Sequence, residues 1–294
     1  MKDSKLKALI NLLDDPDETV YSRVNQKLLN AGEDVIPLLE ARYGIDNNPL
    51  MNRRLEKLME NLRDTSFNQG FRKWWEQDGD VDLLKGLYYV NNLYYTDTGF
   101  EEFNDYVELL KGKIWLELSD NLTGFEAIKV INRHFFVVME YGVIPVQDIK
   151  DSARHFPEQM FLNKKVSPFP FIGLYCLVAK SLDLPVYPVY LPGLLLMAYQ
   201  NRDIAREAYG DESSTGVLFY INPYDAGSFL GRKALDYVIK QRDINAEENH
   251  YRPIDNKIFI HKYLRYLWDL NLFSPENHAF NRLENMLLII RGEK

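Results

Sequence analysis

Residues 166–199, "VSPFPFIGLYCLVAKSLDLPVYPVYLPGLLLMAY", constrain the fold more than any other stretch, because they demand a helix and strands side by side. Ser167 suits a helix N-cap and Pro168 a first helical residue, where the missing N–H would be unpaired anyway. The pattern predicts a strongly apolar helix from 167 to about 181, ended by "LDLP". Two runs rich in Val, Tyr, Phe and Leu then read as strands, "PVYPVYLPGLLLMAY" and "GVLFYINPY". Between them, "QNRDIAREAYGDESST" is polar and acidic, a surface excursion, and "GSFLGRKALDYVIKQ" reads as a turn and a helix.

The flanks are helical. "SKLKALINLLDD" sets Leu6, Leu9, Ile10 and Leu13 on one face. "DPDE" stops that helix and opens the next, with Pro16 in its first turn. Two helices divided at Ala31-Gly32 follow, then a fourth in "NNPLMNRRLEKLMENLRD". With "LLDDPDETV" and "AGEDVIPLLEA", this front end resembles a HEAT-type helical repeat, in which each apolar stripe needs a neighbour to cover it. A cap on the main domain and a partner-binding surface fit it equally. Residues 66–110 continue helical, and the pairs Trp74-Trp75, Tyr88-Tyr89 and Tyr94-Tyr95 read as packing anchors. Thr123 and Glu126 have capping-box spacing at the head of a helix that Gly142 is expected to end. The tail, 256–291, is helical and broken at Ser274-Pro275. The expected organisation is a HEAT-like segment over 1–65, a main domain over 66–245 and a helical segment over 246–294.

Composition narrows the function. The balance of 35 basic and 43 acidic residues leaves a net charge of −8. That disfavours a sequence-independent grip on phosphate backbones, so no nucleic acid is expected as a partner. One cysteine excludes an internal disulfide framework and a multi-thiolate metal site. The N-terminus turns acidic after a short amphipathic run, unlike a signal peptide, and no apolar stretch is long enough to span a bilayer. A cytoplasmic protein, off the membrane, is the expectation. No HExxH, P-loop, dinucleotide fingerprint or EF-hand spacing occurs, so neither metal nor cofactor is expected.

The helix ending "LVAKSLDLPVYPVYLPG", the strand after it and the turn "FYINPYDAGSFL" together resemble the SirB-type transglutaminase-like family. Upstream, "NRHFFVVMEYGV" is similar to that family's Leu-Asn-x-x-Leu/Phe-Phe segment. The resemblance implies a helix-rich α+β fold: a transglutaminase-like core of one helix on a small antiparallel sheet, flanked by helices at both ends. It also implies a site. The wider superfamily transfers or hydrolyses acyl groups with a Cys at a helix N-terminus, a His on a strand and an Asp or Asn on the next. The helix end favours the thiolate, His moves the proton, and the third residue orients the ring.

By this resemblance Pro168 stands at the nucleophile's place, Leu194 at the histidine's and Asn222 at the aspartate's. Proline has no nucleophile and leucine accepts no proton, so the ordinary triad cannot operate. Cys176, about two turns into the helix among Leu174, Leu177 and Val178, reads as a buried structural thiol. Of the five histidines, His155, in a loop before Phe156-Pro157, is the one expected to border the pocket. Two functions remain open: a protein-binding or scaffold module that has lost its chemistry, and a hydrolase or acyltransferase using Ser167, Asn222, Tyr224 and Asp225 with His155.

Overall fold

The structure is a computed structural model and describes residues 3–45, 48–119, 121–209 and 215–293. The chain forms two compact units, Met1–Lys73 and Trp74–Lys294.

The first unit holds α1 (Asp3–Ile10), α2 (Glu18–Leu29), α3 (Ile36–Glu40) and most of α4 (Pro49–Trp75). Leu6, Ile10 and Leu13 pack with Val24 and Leu28 of α2 and with Leu55 and Leu58 of α4, as the helical spacing requires. Asp17 caps α2, its side chain accepting from the Thr19 N–H, so Pro16 lies just outside the helix and not in its first turn. A carboxylate at the cap satisfies an orphan N–H, which proline at that place cannot do. Arg54 of α4 is buried and donates to the Leu13 and Asp15 carbonyls at 2.8 and 2.7 Å. It thereby closes the carbonyl end of the first turn. The expected break at residue 65 falls inside α4, which carries no proline or glycine between Leu50 and Asn68 to stop it.

The second unit opens with α5 (Leu83–Asn91), α6 (Phe100–Trp115) and α7 (Gly124–Asn132). Thr123 and Glu126 form the capping box expected of them. A π turn, Arg133–Val138, follows α7. The chain then reverses at Glu140, in a left-handed conformation (φ 57°) and ion-paired with Lys164. Gly142 does not stop the helix; it starts β1 (Gly142–Val143), which pairs in parallel with β2 (Lys165–Val166) beyond the short α8 (Glu158–Asn163).

α9 (Pro168–Ser181) is the central helix, and the expected bounds hold to within a residue. The antiparallel sheet has strand order β3-β4-β5-β6, with β3 (Val186–Leu191), β4 (Leu194–Gln200), β5 (Val217–Asn222) and β6 (Ser228–Leu230). Pro192-Gly193 turns β3 into β4; glycine is needed at 193 because its φ is +74°. α10 (Arg202–Tyr209) fills the polar excursion, α11 (Arg232–Gln241) follows β6, and α12 (Asn256–Asp269) and α13 (His278–Arg291) close the unit.

The sheet has two covered faces. Val189, Leu191, Leu194, Leu196 and Ala198 cluster with Leu235 and Ile239 of α11 on one. α9 packs on β3 and β4 and contributes nothing to that cluster, so it covers the other face, where Leu195, Met197 and Tyr199 are also buried. The result is a helix-rich α+β fold with a small antiparallel sheet between helices. Among the described residues no helix is long and apolar enough to cross a membrane.

Candidate functional site

The start of α9 is where a helix N-terminus meets the sheet, and the chain builds a closed group of side chains there. Ser167 is the N-cap and its own N–H donates to the Arg154 carbonyl at 2.8 Å. Its hydroxyl, fully buried, has no formed hydrogen-bond partner, yet lies close enough to the Tyr266 phenol to ease that group's ionisation. Pro168, next in line, is buried, as is Phe169, whose ring stacks on Tyr263 at 5.1 Å and meets Tyr266 at 4.8 Å.

His155 belongs to this group. It ends a short 3-10 turn, 3% exposed, with Nδ1 2.7 Å from the Tyr266 hydroxyl. Its backbone carbonyl accepts from the Tyr263 hydroxyl at 2.5 Å. Burial pulls the imidazole down to about 4, against the opposing pull of Asp151. A ring that is neutral near pH 7 has one acceptor nitrogen, which fits Nδ1 accepting from the Tyr266 hydroxyl. Burial pushes Tyr266 well above the usual phenol range, so it stays protonated and can donate.

Tyr224 packs against the cluster on the α11 face, and its charge would oppose the ionisation of Tyr266. Burial raises its own pKa, against the lowering influence of the Leu195 backbone N–H and of the Arg242 guanidinium 5.7 Å from its ring. Asn222 points elsewhere: its side chain accepts from the Tyr224 N–H and caps the turn Pro223–Asp225. Asp225 is exposed at the end of that turn.

The structure therefore gathers Ser167 and His155 at Tyr266, and leaves out Asn222, Asp225, Leu194 and Tyr224, the last two in contact with the cluster on the α11 face. Leu194 is 3% exposed, within the cluster on the α11 face, so its side chain points away from α9. Continuing the Met197–Ile221 pairing sets Asn222 level with Leu196, and brings Tyr224 level with Leu194. Cys176 is buried at 2% exposure, and burial pushes its thiol far above the thiolate range.

Tyr266 and Tyr263 were missed in the sequence. They sit three apart in "KYLRYLW", hence on one helix face, but nothing local says that this face meets residue 155, more than a hundred positions away. A second buried node joins the family-like segments themselves. The Tyr175 hydroxyl of α9 donates to Asn132 Oδ1 at 2.7 Å, and Asn132 Nδ2 donates to the Gly227 carbonyl at 2.8 Å. Asn132 opens the quoted "NRHFF" and Gly227 closes "NPYDAG", so the motifs meet through one amide.

The family model of the transglutaminase-like superfamily matches residues 101–265, a span that includes α9, the whole sheet and most of α12. No curated protein and no solved structure matches the chain significantly.

Proposed function

We propose a role for this chain from one premise: it belongs to the transglutaminase-like superfamily. It is a divergent member, of the SirB type with HEAT-like N-terminal helices, which has exchanged catalysis for protein binding or scaffolding in the cytoplasm. One observation carries this reading. The helix start that would present the nucleophile is closed: Ser167 is 0% exposed, Phe169 6% and His155 3%, beneath the Tyr263 and Tyr266 rings of α12. A substrate carbonyl has to come within about 3–3.5 Å of an attacking atom, and buried atoms at a sealed helix start offer no such approach.

The measurement is an amine-incorporation assay with a glutamine-containing acceptor, run beside a casein digest. The expected outcome is no turnover above the buffer blank. Turnover that tracks the purified chain would overturn the reading.

A second reading, a hydrolase or acyltransferase with Ser167 as nucleophile, rests on the unpartnered Ser167 hydroxyl beside the Tyr266–His155 pair. It requires α12 to lift away from α9. A fluorophosphonate probe separates the two: stoichiometric labelling of Ser167 in the native chain supports the enzyme, and no labelling of the native chain supports the scaffold.

A further inference from the structure

We propose that the open edge of the sheet, β6 with the aromatic rings beside it, takes an extended segment of a partner protein as an added strand, an apolar residue with acids around it. The two edges of the sheet differ. Along β3 the chain covers itself: Val189 bridges Pro253, and the Ile254 N–H donates to the Pro188 carbonyl at 2.9 Å. β6 pairs with β5 alone, and among the described residues no hydrogen bond reaches its outer side. Ser228, Phe229 and Leu230 include no lysine, proline or bulge, the usual means of blunting an edge. Outward N–H and C=O groups spaced along a strand are matched by another extended backbone.

The rings beside this edge touch one another. Phe229 stands level with Ile221, and Ile221 with Met197, so Phe229 faces the α9 side of the sheet. Its ring lies 4.4 Å from Phe125 of α7 and 5.2 Å from Phe219, which stacks on Tyr199 at 5.1 Å. Phe125 is 40% exposed, and Phe219 and Phe229 are half-buried. A strand added to β6 sets every second side chain on this face, beside Phe229 and Phe125. Three residues of edge supply few main-chain bonds, so burial against these rings has to carry the rest of the affinity.

Two cations set the charge of the partner. Lys129 holds its ammonium 4.5 Å over the Phe125 ring, and Lys233 follows β6 by three positions. Both are exposed, and among the described residues neither is in an ion pair. Glu126, one turn before Lys129, is already committed to the Thr123 N–H and hydroxyl. Acids on the incoming strand therefore meet open positive charge. A second copy fits less well. β6 paired with its own copy about a two-fold axis normal to the sheet brings both α7 helices onto one face, with Lys129 toward Lys129. The edge gives the protein-binding reading its partner class and rests on that reading; turnover bears on that reading, and strand addition is read out separately.

The probe is a displayed library of random dodecapeptides selected on the full chain, with the enriched peptides synthesised and titrated by fluorescence anisotropy. They should alternate apolar residues with acids nearby and bind at about 100 μM or tighter. Backbone N-methylation separates strand addition from other modes, because successive N–H groups of a strand point to opposite sides. Methylating one set of alternate residues should abolish binding, and methylating the other set should leave it. Phe125→Ala and Lys129→Glu should each weaken binding at least tenfold with unchanged far-UV circular dichroism. Tyr237→Ala, 64% exposed on α11, should leave it unchanged. No enriched peptide, binding indifferent to both methylation sets or to both variants, or a dimer of the chain that the peptides dissociate would overturn the proposal.

Discussion

Replacing Gly227 by alanine tests the node that joins the three family-like segments. Two costs arise together. The residue has φ +75°, a conformation that costs an L-residue about 1–2 kcal/mol. A Cβ built there would stand 2.5–2.6 Å from Cγ, Oδ1 and Nδ2 of Asn132. That amide cannot step aside freely: it is 8% exposed, donates to the Gly227 carbonyl and accepts from the buried Tyr175 hydroxyl. Moving it strands at least one buried polar group, at about 1–3 kcal/mol. The sum is a loss of about 2–5 kcal/mol, a large part of the ~5–15 kcal/mol that holds a domain folded. Urea unfolding followed by circular dichroism measures it, as a lower midpoint at unchanged slope. A double-mutant cycle isolates the cause, because Asn132→Ala removes the obstructing amide. In that background Gly227→Ala should cost only the backbone strain, about 1–2 kcal/mol. Equal costs in the two backgrounds would show that Asn132 is not the obstacle, and a cost below about 0.5 kcal/mol in the wild type would refute the packing argument altogether.

Two further outcomes follow from burial. His155 is held to about 4 in the folded chain, against about 6.5 unfolded, so the unfolded state binds the extra proton between those values. Its contribution to stability is complete above pH 6.5 and is lost as pH falls toward 4. That is at most about 3 kcal/mol, and about half once screening by the nearby surface is allowed for. Stability profiles from pH 7 to 4 should be flatter for His155→Gln than for wild type; superimposable slopes would assign the acid sensitivity elsewhere. Cys176, 2% exposed with a raised thiol pKa, should react with a thiol reagent at neutral pH only as fast as the chain opens, and at once in denaturant. Fast native labelling would contradict its placement.

What the sequence made legible was local. The capping box at Thr123 and Glu126 and the bounds of α9 each depend on residues within a few positions, and each stands where the pattern put it. The run "PVYPVYLPGLLLMAY", read as one strand, is two, folded back on itself at Pro192-Gly193. The π turn did not announce itself, because its apolar spacing over 124–138 is that of an ordinary helix and only the wider bond to His134 distinguishes it. β6 is three residues long, too short for alternation to register, and exists because it pairs with β5. At the site, His155 was singled out and does lie in the group, whereas Asn222 and Leu194 do not. The difference is face: a one-residue step along a strand reverses the side chain's direction, so position along the sequence could place Leu194 near α9 without saying which way it points.

The arrangement about α9 separates what the fold needs from what chemistry would need. The Asn132–Tyr175–Gly227 node ties the segment before the π turn, the central helix and the turn after β5, and none of its groups has a nucleophile's or a base's role to play. It would hold those three elements in register with or without a reaction beside them. The start of the helix is different, because under the proposed reading nothing there has to meet a substrate, yet the space and its polar groups still have to be satisfied. Phe169 and the two tyrosines of α12 supply the volume, and Tyr266 satisfies His155 by donating to its neutral ring. Only the Ser167 hydroxyl is left over. A buried hydroxyl without a partner costs about 1–3 kcal/mol, so Ser167→Ala should leave stability unchanged or raise it if the residue is only a remnant cap. The cap itself makes no side-chain bond to lose. A clear loss of stability in urea would instead mean that the hydroxyl has a partner in solution, a water or a ligand reaching between Tyr266 and the helix start, and would move the balance toward the enzymatic reading.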